Sequence, residues 1–164
     1  MLSQTPGSAS WAFKELTGVA PQKLTLDLGE KLKSANVNRY ISINDVGITL
    51  DGKVAKGEYI DVIHGIDWLH VRLQERLFRL FVLNNKIPYT SKGIDLVRCE
   101  IMAQLKDAVS RGFLAADPEP QVSIPHIDDI DGSVREQRKL PDVCFSARLA
   151  GAIHEIEIRG TITA

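Results

Sequence analysis

The last 25 residues, 140–164, read LPDVCFSARLAGAIHEIEIRGTITA and carry the clearest β pattern in the chain. Polar and apolar side chains alternate over positions 155–163, which is the period of a strand with one buried face. Its polar face comprises Glu155, Glu157, Arg159, Thr161 and Thr163. Its apolar face comprises Ile156, Ile158, Gly160 and Ile162. The pattern predicts a terminal strand, which can pair within its own sheet or with the sheet of a neighbouring molecule.

A second alternating run precedes this strand on the opposite parity. Its apolar positions are Phe145, Ala147 and Leu149. The parity changes at three small residues, Ala150, Gly151 and Ala152. Small residues permit a bend or a bulge, so we expect a hinge at this point.

The size and composition are those of a folded domain. The chain has 164 residues, of which 44% are hydrophobic and 25% charged, and its net charge is −1. This charge gives no reason to expect nucleic-acid binding, and no apolar run approaches the roughly 20 residues of a membrane helix. We expect residues 1–10 to be a flexible lead-in without a secretion signal and residues 11–164 to form one domain.

The first half of this domain is predicted to contain one helix and a set of strands. Thr25 is a suitable N-cap for a helix over residues 25–34. Residues 40–43 and 46–50 have strand composition. The Asp51-Gly52 pair predicts a hairpin turn that would bring Lys53 and Val54 back against the second strand.

The middle of the chain has the periodicity of two long helices, at residues 66–83 and 93–111. The first carries two apolar stripes, so we expect both sides to be buried, within the domain or against a partner. The second is capped by Thr90 or Ser91. Its core face comprises Ile94, Val97, Ile101, Leu105 and Ala108. A short edge strand at 121–127 and a polar loop at 128–138 then lead to the terminal β region.

This order of elements predicts an α+β fold. Two long helices pack on a small, mainly antiparallel sheet, and the C-terminal strand is able to pair between subunits. Because strands and helices are segregated along the chain, a doubly wound sheet fits less well.

A basic ridge runs along the first long helix, formed by Arg72, Arg76 and Arg79. The ridge has two interpretations. It is a solvated face with local ion pairs, or it docks against an acidic surface on another subunit.

No residue set predicts catalysis, a cofactor or a metal. Serine-hydrolase, nucleotide-binding and zinc-protease motifs are absent from the sequence. The acidic run at 128–132 lacks the ligand spacing of a calcium loop, and the four histidines are scattered. Cys99 and Cys144 have no metal-site spacing, and we expect reduced thiols in or near the core.

Four stretches, in order, resemble the C-terminal region of contractile tail sheath proteins of myovirus-type bacteriophages. They are WAFKELTGV at 11–19, GEYID with DWL at 57–69, IPYTSKGI at 87–94, and RKLPDVCFSARLAGAIH at 138–154. Together with the alternating residues after them, they cover most of residues 11–162. Sheath proteins are normally much longer, so this resemblance implies that the chain is a fragment of a larger gene product.

The resemblance implies a structural, non-enzymatic role in the virion tail, after assembly in the host cytoplasm. Sheath subunits stack as rings around the inner tail tube and contract, which drives the tube through the host envelope. The expected partners are other sheath subunits, joined by strand addition in a homo-oligomer, and the tube protein. Neither nucleic acid nor membrane insertion is expected. The alternatives are a sheath or baseplate component of a type VI secretion or pyocin-like system, and remotely a small enzyme of unrecognised type.

Overall fold

A computed structural model describes residues 4–162. The elements of this part, in chain order, are α1 (Leu26–Ser34), β1 (Arg39–Ile43), β2 (Val46–Leu50), α2 (Ile60–Leu83), α3 (Ser91–Ser110), β3 (Gln121–Ser123), a 3-10 turn (Ile127–Asp129), α4 (Gly132–Glu136) and β4 (Cys144–Ser146). β1 pairs with β2 and β3 pairs with β4, both antiparallel. The predicted α+β class is thereby confirmed.

The chain divides into two compact units. The helical unit contains residues 61–150 together with 4–9, and the hairpin unit contains residues 10–60 together with 151–162. In both units the chain combines segments that are distant in sequence. The prediction of one domain over residues 11–164 stays a prediction.

The core of the helical unit lies between α2, α3 and the segment immediately after α3. Its main buried cluster consists of Leu69, Ile101, Leu105, Ala108, Phe113 and Leu114. A second cluster, formed by Ile94, Ile124 and Ile130, packs under β3 and α4. The predicted core face of α3 is confirmed, since four of its five positions are buried and Val97 is half-buried. Among residues 4–162, no helix combines the length and the apolar character needed to cross a membrane.

Helix α2 begins at Ile60, six residues before the predicted start. Gly65 lies inside its first turns and does not end it, because the glycine makes room for a close contact. A Cβ atom built on Gly65 would lie 2.2 Å from Cε2 of Phe113. The acidic residue of the first turn is therefore Asp61.

The hairpin unit is built on β1 and β2, which pair from Arg39 opposite Leu50 to Ile43 opposite Val46. The turn is Asn44-Asp45, with positive φ angles of 49° and 63°, as a two-residue hairpin turn requires. The predicted hairpin at Asp51-Gly52 is wrong. Lys53 forms only an isolated bridge, with Tyr59.

Asp51 is held by an ion pair and not by a hairpin. Nη2 of Arg39 lies 2.8 Å from Oδ2 of Asp51, and the two side chains are only 11% and 16% exposed. The backbone then turns away at Gly52, whose carbonyl accepts a hydrogen bond from the Ile60 amide at 2.9 Å. A partly buried ion pair therefore constrains this turn in place of strand pairing.

Two further predictions are corrected. The polar stretch at 128–138 contains a short helix, α4, which is capped by the Asp131 side chain at the Ser133 amide. The sequence pattern does not predict this helix, because the stretch is polar and its one buried side chain, Ile130, precedes the helix. The two cysteines, Cys99 and Cys144, are free and exposed, so the prediction of core or near-core thiols is wrong.

Replacing Thr90 by alanine is expected to lower the free energy of unfolding by about 1 kcal/mol. Oγ1 of Thr90 accepts a hydrogen bond from the Gly93 amide at 3.3 Å and caps α3. Urea denaturation measures the loss. The matched control is Thr90→Ser, which keeps the hydroxyl and should retain most of the stability. An equal loss in both variants would contradict a capping role.

Candidate subunit interface

The terminal segment, residues 151–162, forms no helix or strand within the described part of the chain. Its isoleucines are almost fully in solvent: the exposed fractions are 82% for Ile153, 76% for Ile156, 87% for Ile158 and 100% for Ile162. Pairing within the chain's own sheet is therefore not found for these residues. Pairing with a neighbour's sheet stays a prediction, and Thr163 lies outside the described residues.

One contact within this segment agrees with its predicted polar face. Nη2 of Arg159 lies 2.6 Å from Oε1 of Glu157, and both side chains are largely exposed. Residues two apart share a face in an extended chain, but not in a helix. The local geometry is therefore compatible with a strand that lacks a partner.

The segment is anchored at its beginning by His154. Nε2 of His154 and Oγ of Ser10 are hydrogen-bonded at 2.7 Å. The imidazole also makes edge-to-face contacts with Phe13 and Tyr59, at centroid distances of 5.6 and 5.0 Å. All four residues belong to the hairpin unit, so the part of the segment that follows this anchor starts at Glu155.

The predicted hinge coincides with the boundary between the two units. Ala150 is the last residue of the helical unit, and its amide donates a hydrogen bond to the Phe113 carbonyl at 3.0 Å. Gly151 has a φ of 69°, and a Cβ atom there would meet nothing within 4 Å. The glycine is thus required by its backbone angle and not by close packing. Movement at Ala150, Gly151 and Ala152 stays a prediction.

Residues 144–150 offer a sheet edge. β4 pairs with β3, and further along the same side Leu149 bridges to Leu114. Within the described residues, the opposite edge of this stretch has no strand beside it. An extended segment can add to such an edge through backbone hydrogen bonds.

An apolar groove of about 520 Å³ lies between this stretch and α2. One wall carries the alternating side chains Phe145, Ala147 and Leu149, and the other carries Ile66, Leu69 and Leu73. Phe145 and Leu149 are 46% and 37% exposed in the single chain. The face of a strand added at this edge would therefore meet apolar side chains.

The second apolar stripe of α2 consists of Trp68, Val71, Phe78 and Val82, and only Trp68 packs against the main buried cluster of the helical unit. Three of its members are at least half exposed: Val71 at 50%, Phe78 at 70% and Val82 at 64%. Of the two expected modes of burial, burial of both sides inside the domain is therefore not found among the described residues. Burial against a partner stays a prediction.

The basic ridge is partly engaged inside the chain. Arg72 forms an ion pair with Glu75 at 2.7 Å. Arg76 forms one with Glu100 at 3.3 Å and also donates to Gln104. Arg79 has no ion pair among the described residues. A role of the ridge in tube or neighbour contact stays a prediction.

Solved structures with the same fold come from contractile injection systems. A chain of the anti-feeding prophage (AFP) baseplate superposes with a TM-score of 0.73 at 17% identity, over 96% of this chain and 46% of that one. The AFP helical sheath in its contracted state gives 0.70 at 16% identity, over 94% and 45%. The contracted sheath complex of the extracellular contractile injection system PVC gives 0.66 at 17% identity, over 98% and 47%. This chain therefore has the fold of these chains from contractile injection systems, and it spans about half of their length.

A comparison with protein-family models agrees with the structural comparison. Residues 60–118 match the model described as "E217 tail sheath protein gp31-like, C-terminal domain". The matched stretch begins at the first residue of α2 and includes α3. Of the four motif regions, it contains 87–94 completely and 57–69 from residue 60 onward. No match was found among curated protein sequences. The resemblance to the C-terminal domain of contractile tail sheath proteins is thereby confirmed.

Proposed function

We propose that this chain is the tube-proximal part of a contractile sheath subunit, a structural component and not an enzyme. The subunits surround an inner tube and contract to drive it through the host envelope. The observation that carries the proposal is the terminal segment, whose residues alternate like a strand but have no strand partner in the single chain. A segment that exposes four isoleucines in this way is suited to completion by a neighbouring subunit.

The unpaired edge of residues 144–150 is the receiving site that fits this segment best. Backbone pairing there would place one side-chain face of the added strand over the apolar groove. If that face is Ile156, Ile158 and Ile162, each buried isoleucine contributes about 2 kcal/mol.

Such contacts suit a helical assembly. The donating segment and the receiving edge are different surfaces of one chain, so the interface is heterologous, and an interface of this kind builds a helical array when its rotation does not close into a ring. The partners are other sheath subunits and the protein of the inner tube. The location is the tail of a virion or of a related particle, with assembly in the host cytoplasm.

A second candidate is a baseplate component of a related contractile system. The similarity to a chain of the AFP baseplate favours it. A baseplate component would use the same fold and the same terminal segment, but in a ring of fixed size instead of an extended helical array.

Electron microscopy of the complete gene product is expected to show tubes or stacked rings with a central channel. Tubes of variable length support a sheath, and single rings of constant size support the baseplate alternative. Discrete small particles at all concentrations would contradict both. The control is the same preparation at 1 M salt, where strand addition should persist, because backbone pairing and apolar burial are not screened by salt.

A further inference from the structure

A charged cleft of about 550 Å³ lies between α2 and α3. The two helices line it with the same spacing, since positions 72, 76 and 79 of α2 are matched by 100, 104 and 107 of α3. These steps of four and three residues keep one face of each helix toward the cleft. The side chains that line it are charged or amide groups for the most part, unlike those of the apolar groove beside Ile66, Leu69 and Leu73 of the same helix.

The charges of this cleft are unequal in number. Three carboxylates each have one guanidinium partner: Glu75 pairs with Arg72 at 2.7 Å, Glu100 with Arg76 at 3.3 Å, and Asp107 with Arg111 at 2.9 Å. Arg79 is the fourth guanidinium group, and it is exposed. Within residues 4–162 it has no carboxylate partner. The cleft therefore carries one positive charge in excess.

The same site contains a second hydrogen-bond donor without an acceptor, the side-chain amide of Gln104. Gln104 is only 2% exposed, and its Oε1 atom accepts a hydrogen bond from Nε of Arg76 at 2.8 Å. This bond fixes the orientation of the amide, so Nε2 is the free donor. In the described structure Nε2 is buried and has no hydrogen-bond partner. A buried donor without an acceptor costs about 1–3 kcal/mol, so an acceptor supplied from outside would stabilise the site.

We propose that this cleft binds one acidic side chain, Asp or Glu, of a protein partner, with Arg79 as the main contact and Gln104 as the buried donor beneath it. A single carboxylate balances the one excess charge. A phosphate dianion would exceed it, and the three resident carboxylates would repel the surplus. A nucleic-acid backbone is disfavoured for the same reason. Only the identity of the partner, another protein of the contractile assembly, rests on the proposed function.

The test is an NMR titration of the labelled 164-residue chain, followed at the Arg79 Nε–Hε and Gln104 side-chain amide signals. The probe is the peptide Ac-Gly-Glu-Gly-NH2, and its uncharged match is Ac-Gly-Gln-Gly-NH2. We expect saturable shifts of both signals with the glutamate peptide only. Arg79→Gln should weaken that binding about tenfold, the effect of losing one charge-assisted hydrogen bond, as read from Gln104. The charge-matched control Arg135→Gln should leave it unchanged.

Three results would overturn the proposal. They are the absence of a saturable shift at Arg79, an equal response to the glutamine peptide, and tighter binding of inorganic phosphate at the same signals. The last result would define a general anion site. Because the titration uses the single chain, it can succeed when microscopy shows no assembly, and it can fail when tubes are present. The failure of this proposal and the failure of the proposed function are therefore distinguishable.

Discussion

Deletion of residues 155–164 from the complete gene product is expected to abolish tubes and rings while the protein remains folded. The described part of this segment begins after the His154 anchor and contributes nothing to either buried cluster. Its loss should change the free energy of unfolding of the 164-residue chain by no more than about 0.5 kcal/mol. Electron microscopy reports the assembly, and urea denaturation reports the stability.

Two double variants distinguish the faces of the segment. Ile156→Asp with Ile158→Asp places charges on the apolar face, and assembly should be lost as in the deletion. Glu155→Ser with Glu157→Ser changes the polar face, and assembly should be retained. Unchanged assemblies after the deletion would rule out strand donation. Unfolding of the shortened chain would instead show that the segment belongs to its own core.

The helical part of the fold could be predicted from the sequence because its determinants are local. Period and capping placed α1 within one residue and α3 within two, and both threonine caps, Thr25 and Thr90, are confirmed. The start of α2 was missed because a glycine inside a helix looks like a boundary. The reason for Gly65 is its contact with Phe113, which lies 48 residues later and leaves no local signal.

The hairpin unit shows how one turn signal can be mistaken for another. Asn44-Asp45 and Asp51-Gly52 both have the positive φ angles of tight turns. Only the first lies between two strands that pair. The second turn is held instead by the ion pair between Arg39 and Asp51, which joins residues 12 positions apart. The Asp-Gly pair specifies a reversal of the chain, but it does not specify that the following residues pair as a strand.

The candidate interface was predictable in its pattern and not in its contacts. Alternation assigns the residues of 155–163 to two faces. Pairing within the chain's own sheet and pairing with a neighbour's sheet both require this alternation. The anchor between His154 and Ser10 joins opposite ends of the chain, and nothing in either sequence neighbourhood indicates it. Likewise, helical spacing aligned the three arginines of α2. The spacing could not show that Arg72 and Arg76 form ion pairs with carboxylates of the same chain, whereas Arg79 forms none among the described residues.

Leu105→Ala is expected to lower the free energy of unfolding by about 3 kcal/mol. The Leu105 side chain is fully buried, at 0% exposure, in the cluster that also contains Leu69, Ile101 and Phe113. Truncation removes apolar contacts and leaves a cavity that the rigid helices cannot fill completely. Urea denaturation of the 164-residue chain measures the loss from the shift of the midpoint at constant slope.

The matched control is Leu83→Ala, the same truncation at the end of α2, where the side chain is 68% exposed. Its effect should stay within about 0.5 kcal/mol. A loss below about 1 kcal/mol at Leu105 would contradict the packing of α3 against α2, because typical Leu→Ala costs in a close-packed core start near 2 kcal/mol. The same packing positions Gln104, the neighbour of Leu105, in the charged cleft. Leu105→Ala should therefore also weaken the response of the Gln104 amide to the glutamate peptide.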